Sequence, residues 1–266
     1  MSAPQLVRVA VYERTIRASL ERIWENVLDW EHLPGLHRDS FGAIRCLEAS
    51  ADGWRARLLG RGADPSQEIE VEVRLDRPAL KYVTETTLGT GKGAQIWTRL
   101  APCAAHETDI AVEFLLPDVP PAHVAALGRG YTTLYAKLWD EDEAMMERRE
   151  EMLARVASYP ARGAASLDLG RLGDLRTRLP QLVEFDGRPF RVIDRDGVLI
   201  VHSTICPHSL GPLEDATPEG DTIECPWHRY RFDVRTGRSC DGRGLRLTPA
   251  PRVVVAPDGR VSLVAD

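Results

Sequence analysis

Near the C-terminus the chain reads Cys206-Pro-His208 and, after a short spacer, Cys225-Pro-Trp-His228. Each of two tight motifs pairs one Cys with one His, so the four side chains form a ligand set for a metal centre. Pro207 and Pro226 stiffen the two turns by fixing φ and removing an N–H. Cys₂His₂ also suits tetrahedral zinc. Zinc fingers, however, usually pair Cys with Cys and His with His.

The spacing C-x-H…C-x-x-H resembles that of Rieske iron–sulfur domains, in which two His replace two Cys on one iron of a [2Fe–2S] cluster. Gly211-Pro-Leu213 and Phe232-Asp-Val-Arg-Thr-Gly237 stand where such domains carry similar residues. The resemblance implies that Cys206, His208, Cys225 and His228 ligate the cluster. Respiratory Rieske proteins carry an extra disulfide-forming Cys beside each loop. Here those places hold Gly211 and Trp227, as in the lower-potential domains that serve ferredoxins and oxygenases. Trp227 is expected to shield the cluster loop.

At 266 residues the chain has room for two domains, each with its own core. A hydrophobic content of 43% with 28% charged residues is a globular balance. The net charge of −6 gives nucleic-acid binding no electrostatic support. No signal peptide and no run of about 20 apolar residues is visible, so a cytoplasmic protein without a membrane segment is expected. Cys46, Cys103 and Cys240 read as buried or half-buried free thiols of a reducing compartment.

Residues 5–17 read as a strand, and Ser19 as the N-cap of a helix from Leu20 to about Trp30. Strand-like runs fill Phe41 to about Leu116, with turns at Ala51-Asp-Gly53, Asp76-Arg-Pro78 and Gly89-Thr-Gly-Lys-Gly93. The last lacks the full phosphate-loop pattern and reads as a hairpin turn. Pro120-Pro121 opens a helix to about Ser158. That order is α+β, an antiparallel sheet with a long final helix in the helix-grip, or START-like, arrangement, with an apolar cavity between sheet and helix. Tyr159-Pro-Ala-Arg-Gly163 reads as a linker. Strands at Leu182–Phe185, Phe190–Asp194, Val198–His202, Val253–Val255 and Val261–Val264 make the remainder an all-β domain. The expected domains are 1–158 and 166–266.

A second constellation lies in Glu25-Asn-Val-Leu-Asp29-Trp-Glu-His32-Leu-Pro-Gly-Leu-His37. Asp29 and His32 share a helix face. Pro34 and Gly35 are expected to break the helix and let His37 fold back towards His32. Two imidazoles beside a carboxylate suit divalent iron in the 2-His-1-carboxylate arrangement.

The final helix offers the carboxylate. Leu134, Tyr135, Leu138, Trp139, Met145, Met146, Met152, Leu153 and Val156 form one apolar stripe. At about 100° per residue, Asp142 falls within roughly 20° of its centre. Glu141 and Glu143 lie roughly 80–120° away, and Asp140 points to the far side, as expected of a solvated charged face. A buried Asp142 needs a cation or hydrogen-bond partners. Metal and a salt bridge to Arg149 both meet that need. His106, His123 and His202 read as surface or satisfied residues, and Trp24 and Trp30 as packing for the first helix.

Taken together, the motifs are similar to those of Rieske non-haem iron oxygenases. These carry Glu-Asn-x-x-Asp-x-x-His-x₄-His on the helix opening the main part of the catalytic domain, and Asp-x₄-Glu on the last long helix. Glu25, Asn26, Asp29, His32, His37, Asp142 and Glu147 stand in that register. The resemblance implies that His32, His37 and Asp142 bind mononuclear Fe(II) and that Asp29 bridges a cluster His to an iron His. It further implies O₂ and a hydrophobic small molecule as reactants, in hydroxylation or oxidative demethylation. A separate ferredoxin or NAD(P)H-dependent reductase would supply electrons.

Two departures stand out, the first with a consequence for electron transfer. The cluster domain follows the catalytic domain, whereas the family usually places it first. The chain is also short for the family. Reversal leaves open whether electrons pass within one chain or between neighbours of a homotrimer. The chief rival is a non-enzymatic Rieske electron carrier fused to a START-like binding module, and a zinc-binding interaction protein is a distant third.

Overall fold

The structure, a computed structural model, describes residues 5–160 and 166–265. They fall into two compact units, Met1–Glu147 and Arg148–Asp266. Of the expected linker, Ala161–Gly163 lies outside the described residues.

In the first unit, alternating apolar positions over Leu6–Ile16 form β1, whose side chains point in turn to core and solvent. Ser19 caps α1 (Leu20–Leu28) by accepting from the Arg22 backbone N–H at 3.3 Å. The helix ends two residues earlier than expected, because Asp29 leaves helical space at φ −85°, ψ 74°. A 3-10 turn (Trp30–His32) and a short helix α2 (Leu33–Leu36) follow. Pro34 therefore does not break α1. It sits in the first turn of α2, where its missing N–H has no helical partner to lose.

Six strands come next: β2 (Phe41–Ser50), β3 (Gly53–Gly60), β4 (Ile69–Asp76), β5 (Lys81–Leu88), β6 (Gln95–Ala104) and β7 (Glu107–Pro117). The three expected turns join β2 to β3, β4 to β5, and β5 to β6. Sheet order is β1-β7-β6-β5-β4-β3-β2, antiparallel throughout, so the first strand pairs with the last. With the closing helix α3 (Pro121–Ala157) this is the helix-grip topology.

α3 packs on the sheet through aromatic contacts. The Phe114 ring on β7 lies 5.0 Å from Tyr131 and 4.7 Å from Tyr135, and such pairs contribute about 0.5–1.5 kcal/mol each beyond area burial. Gly128 allows this approach, since a Cβ there would meet the Val9 carbonyl at 2.5 Å. Trp24 packs into the same core, and Trp30 against a second cluster around Trp54 and Val71. The apolar stripe of α3 is only partly covered: Trp139, Met145, Met146 and Met152 are buried, whereas Leu134, Leu153 and Val156 are exposed.

The second unit contains β8 (Ser166–Arg171), a short helix α4 (Leu172–Arg176), β9 (Gln181–Phe185), β10 (Arg188–Arg195), β11 (Val198–Ser203), β12 (Thr222–Glu224), β13 (Arg231–Asp233), β14 (Arg252–Val255) and β15 (Arg260–Val264). They form the sheets β11-β10-β9, β12-β13 and β14-β15-β8. Leu175, Phe190, Val192, Val261 and Leu263 centre the core. α4 makes this part less purely β than the sequence suggests. Cys46 is half-buried, but Cys103 and Cys240 are exposed rather than buried. Among the described residues, no helix is long and apolar enough to cross a membrane.

Candidate metal centres

Two six-residue loops carry the C-terminal quartet. Cys206–Gly211 follows β11 and is closed by the Cys206 N–H donating to the Gly211 carbonyl at 2.9 Å. Cys225–Tyr230 joins β12 to β13 and is closed by the Cys225 N–H donating to the Tyr230 carbonyl at 2.8 Å. In each loop the residue before the last is left-handed: Leu210 at φ 60° and Arg229 at φ 59°. The loops thus share one backbone design, although one holds C-x-H and the other C-x-x-H.

The structure brings the four side chains together. The His208 and His228 rings are 4.4 Å apart and perpendicular. Both cysteines are fully buried. The neighbouring Cys206 thiol, joined by His228 and the Trp227 and His228 amides, outweighs burial and brings Cys225 down to about 5. Cys206 is pushed up by that neighbour and by burial. Two thiols this close share a proton awkwardly, and a metal centre that accepts both as thiolates removes the conflict. Gly211 supplies space: a Cβ there would lie 2.8 Å from Cys225 Sγ and 3.0 Å from the Trp227 ring. Gly211 therefore faces the Trp227 indole at close range. Donor set, buried thiols and cradle fit a Rieske-type [2Fe–2S] cluster.

In the first unit, ligand atoms of His32, His37 and Asp142 all lie within 4.8 Å of one another. His32 ends the 3-10 turn, His37 caps α2, and Asp142 comes from the middle of α3. Asp142 Oδ1 is 3.4 Å from His32 Nε2 and 3.2 Å from His37 Nε2. Asn26 Nδ2 donates to the same oxygen at 2.9 Å. The far nitrogens face carboxylates as well. His37 Nδ1–H donates to Glu141 Oε2 at 2.6 Å, and His32 Nδ1 lies 3.9 Å from Asp29 Oδ2.

Burial alone would push the His37 imidazole down, but Asp142 and Glu141 outweigh it and hold the ring above its ordinary value. Burial likewise pushes Asp142 up, and His37, His32 and Asn26 outweigh it to hold the carboxyl below the usual range. Without a metal, Asp142 is thus the anionic partner of two imidazoles. With both Nε2 atoms converging on one carboxylate oxygen and both Nδ1 atoms near carboxylates, the set fits divalent iron.

The acidic run on α3 differs from its reading as a solvated face. Glu141 is half-buried against His37. Glu143 is 4% exposed, gripped by the Arg14 guanidinium and by the Arg17 backbone N–H at 2.7 Å. Asp140 is exposed as expected, paired with Arg14 at 2.5 Å. Glu147, the last residue of the Asp-x₄-Glu pattern, pairs with Arg17 at 3.1 Å rather than entering the site. Asn26 and Glu141 are the site residues whose roles sequence reasoning missed. Asn26 was in the quoted motif, and Glu141 adjoins Asp142. His106 and His123 are exposed. His202 is buried, its Nδ1 at 3.0 Å from the Ser203 carbonyl.

Residues 166–250 form a Rieske [2Fe-2S] domain, the family whose pattern they match. The ferredoxin component of a naphthalene 1,2-dioxygenase system of Pseudomonas aeruginosa is 35% identical over 57 residues, 21% of this chain and 55% of that protein. The ferredoxin component of a p-cumate 2,3-dioxygenase system of Pseudomonas putida is 36% identical over 67 residues, 25% of this chain and 52% of that protein. The chain thus spans about half the length of the curated relatives it matches. Among solved structures, a norcoclaurine synthase of Thalictrum flavum is similar over 56% of this chain and 99% of its own, at 15% identity and a TM-score of 0.45.

Proposed function

We infer that the chain is a Rieske-type oxygenase, with residues 1–158 as the catalytic domain and 166–266 as the cluster domain. The observation that carries this reading is the convergence of His32, His37 and Asp142 from three elements on one buried point. Iron would be held there by His32, His37 and Asp142 and would supply O₂ activation, and Cys206, His208, Cys225 and His228 would hold the cluster that supplies single electrons. The electrons come from a separate ferredoxin or NAD(P)H-dependent reductase.

The chain's own residues position the parts. Glu141 fixes the His37 ring, Asp29 stands behind His32, and Asn26 holds the Asp142 carboxylate. The side chains between sheet and α3, among them Phe114, Tyr135 and Trp139, are apolar, which supports a hydrophobic rather than a charged small molecule. Hydroxylation or oxidative demethylation of such a molecule is the expected chemistry.

A second reading is a START-like ligand-binding module joined to a Rieske electron carrier. It is favoured by the ferredoxin-component relatives and by Asp142, whose hydrogen-bonding needs Asn26 and two histidines already meet. Iron quantification with EPR of the reduced protein separates the two. The oxygenase holds about three irons per chain and the carrier about two. An iron count of two in protein expressed with ample iron, with no turnover, would favour the carrier.

Two variants probe the positioning carboxylates. Glu141→Gln is expected to weaken mononuclear iron binding about 10–100-fold, the usual cost of losing an outer partner of a ligating His. Metal competition against a fluorescent chelator reads it, and unchanged affinity would remove Glu141 from the site. Asp29→Asn is expected to leave the cluster reducible and slow product formation strongly. Single-turnover rates equal to the parent protein would exclude a bridging role.

A further inference from the structure

One line of contacts leads from the cluster quartet to the surface. Tyr230 closes the second ligand loop and is buried. Its ring lies 4.5 Å from the His208 ring, inclined by 31°, and 5.7 Å from the His228 ring. Over the Tyr230 ring sits the Arg243 guanidinium, with Cζ 4.0 Å from the ring centroid. Arg243 Nη1 also donates to Tyr230 Oη at 2.8 Å. Arg243 is carried on an exposed turn between Gly242 and Gly244, both at positive φ. The turn is tied down by Asp241, whose Oδ2 accepts from Arg243 Nε at 3.0 Å and whose Oδ1 accepts from the Arg243 backbone N–H at 3.3 Å. The contacts thus run from imidazole to phenol ring to guanidinium to carboxylate.

Reduction of a [2Fe–2S] cluster adds one electron, and with it one negative charge, to the centre that His208 caps. Nearby charge, hydrogen bonding and solvent exposure are the protein's means of setting the potential of such a centre. A guanidinium carries its charge at every accessible pH. Held one buried ring away from a ligand, it favours the reduced state, with solvent screening part of the effect because the Arg243 side chain is 41% exposed. The geometry points to Arg243 as a positioning residue that raises the reduction potential of the cluster, acting through Tyr230, whose ring contacts both the guanidinium and His208. Asp241 opposes it, because its carboxylate offsets part of the same charge. This rests on the cluster reading of Cys206, His208, Cys225 and His228.

The test is a dithionite titration of the full-length, cluster-loaded protein at low ionic strength, followed by circular dichroism and EPR. Arg243→Gln is expected to lower the midpoint potential, with about a tenfold change in the reduced-to-oxidised ratio at fixed potential, equivalent to about 59 mV for one electron. Arg243→Lys keeps the charge and is expected to retain most of the parent potential. Asp241→Asn is expected to move the potential upwards. An unchanged potential in Arg243→Gln overturns the inference, as does an equal fall in the Gln and Lys variants. If Arg243→Gln fails to load its cluster, an unchanged or lowered potential in Asp241→Asn overturns it, because that variant keeps both Arg243 and its hydrogen-bond partner Tyr230. A parent protein without a [2Fe–2S] spectrum overturns the cluster reading, and that is seen before any titration begins.

Discussion

Replacing Asp142 by alanine is expected to lower the iron content from about three to about two per chain, to abolish product formation, and to leave the EPR signal of the reduced cluster unchanged. One oxygen of this side chain gathers three partners, His32 and His37 through Nε2 and Asn26 through Nδ2. Its removal leaves two buried imidazoles without the anion that holds His37 above its ordinary value. Loss of an outer partner already costs about 10–100-fold in metal affinity, and loss of a ligand costs more. The apo-protein should also be destabilised by about 1–3 kcal/mol, because the Asn26 amide becomes a buried donor without its acceptor. Iron analysis, EPR and thermal unfolding read the three effects. Full iron and full turnover in Asp142→Ala would sink the triad.

The second large effect is expected from Gly211→Ala, a single methyl group. The Gly211 backbone lies outside the left-handed region, so alanine is conformationally acceptable there and the cost is steric. The new Cβ would meet Cys225 Sγ at 2.8 Å and the Trp227 ring at 3.0 and 3.2 Å. The loop cannot simply retreat, because the Gly211 carbonyl accepts from Cys206 N–H at 2.9 Å and so is tied to a ligand. Overpacking of this kind costs about 1–3 kcal/mol, and here it acts directly on the distance between two cluster ligands. Visible circular dichroism per chain should fall to a small fraction of the parent value. Two of the three close contacts are to the indole, so adding Trp227→Phe should partly restore loading, a coupling that a double-mutant cycle measures. Full loading in Gly211→Ala alone would show that the loops are looser than their geometry implies.

Much of the fold is legible because its determinants are local. Ser19 announces a helix start, and each hairpin turn carries the Gly, Asp or Pro that its backbone needs. Asp142 stands out for a similar reason, as a carboxylate in the middle of an apolar helical stripe. The misreadings arise where a long-range partner decides. Glu143 looks like one more solvated acid until Arg14 and Arg17, brought over by β1, bury it. Pro34 looks like a helix breaker, yet Asp29 ends α1 and Pro34 begins the next turn. Glu141 carried no signal of its own, because its partner His37 is set by the angle between α2 and α3, which helical periodicity does not contain. Leu134, Leu153 and Val156 fit the stripe by period but lie uncovered on the described surface. β12 and β13 are too short to show alternation, so the hairpin holding the second ligand loop was legible only through its motif.

The pairing of β1 with β7 bears on the timing of assembly during synthesis. His32 and Asp142 stand on opposite sides of the meander in sequence, and Asn26 and Asp142, which meet beside them, are 116 positions apart. Such closure is slow, since the entropy of a long loop must be met before its contacts form. Both partners nevertheless leave the ribosome before Cys206 does, whereas the cluster quartet is drawn from two loops adjacent along the chain. The order of domains in this chain therefore gives the slow, non-local site a head start over the quick, local one.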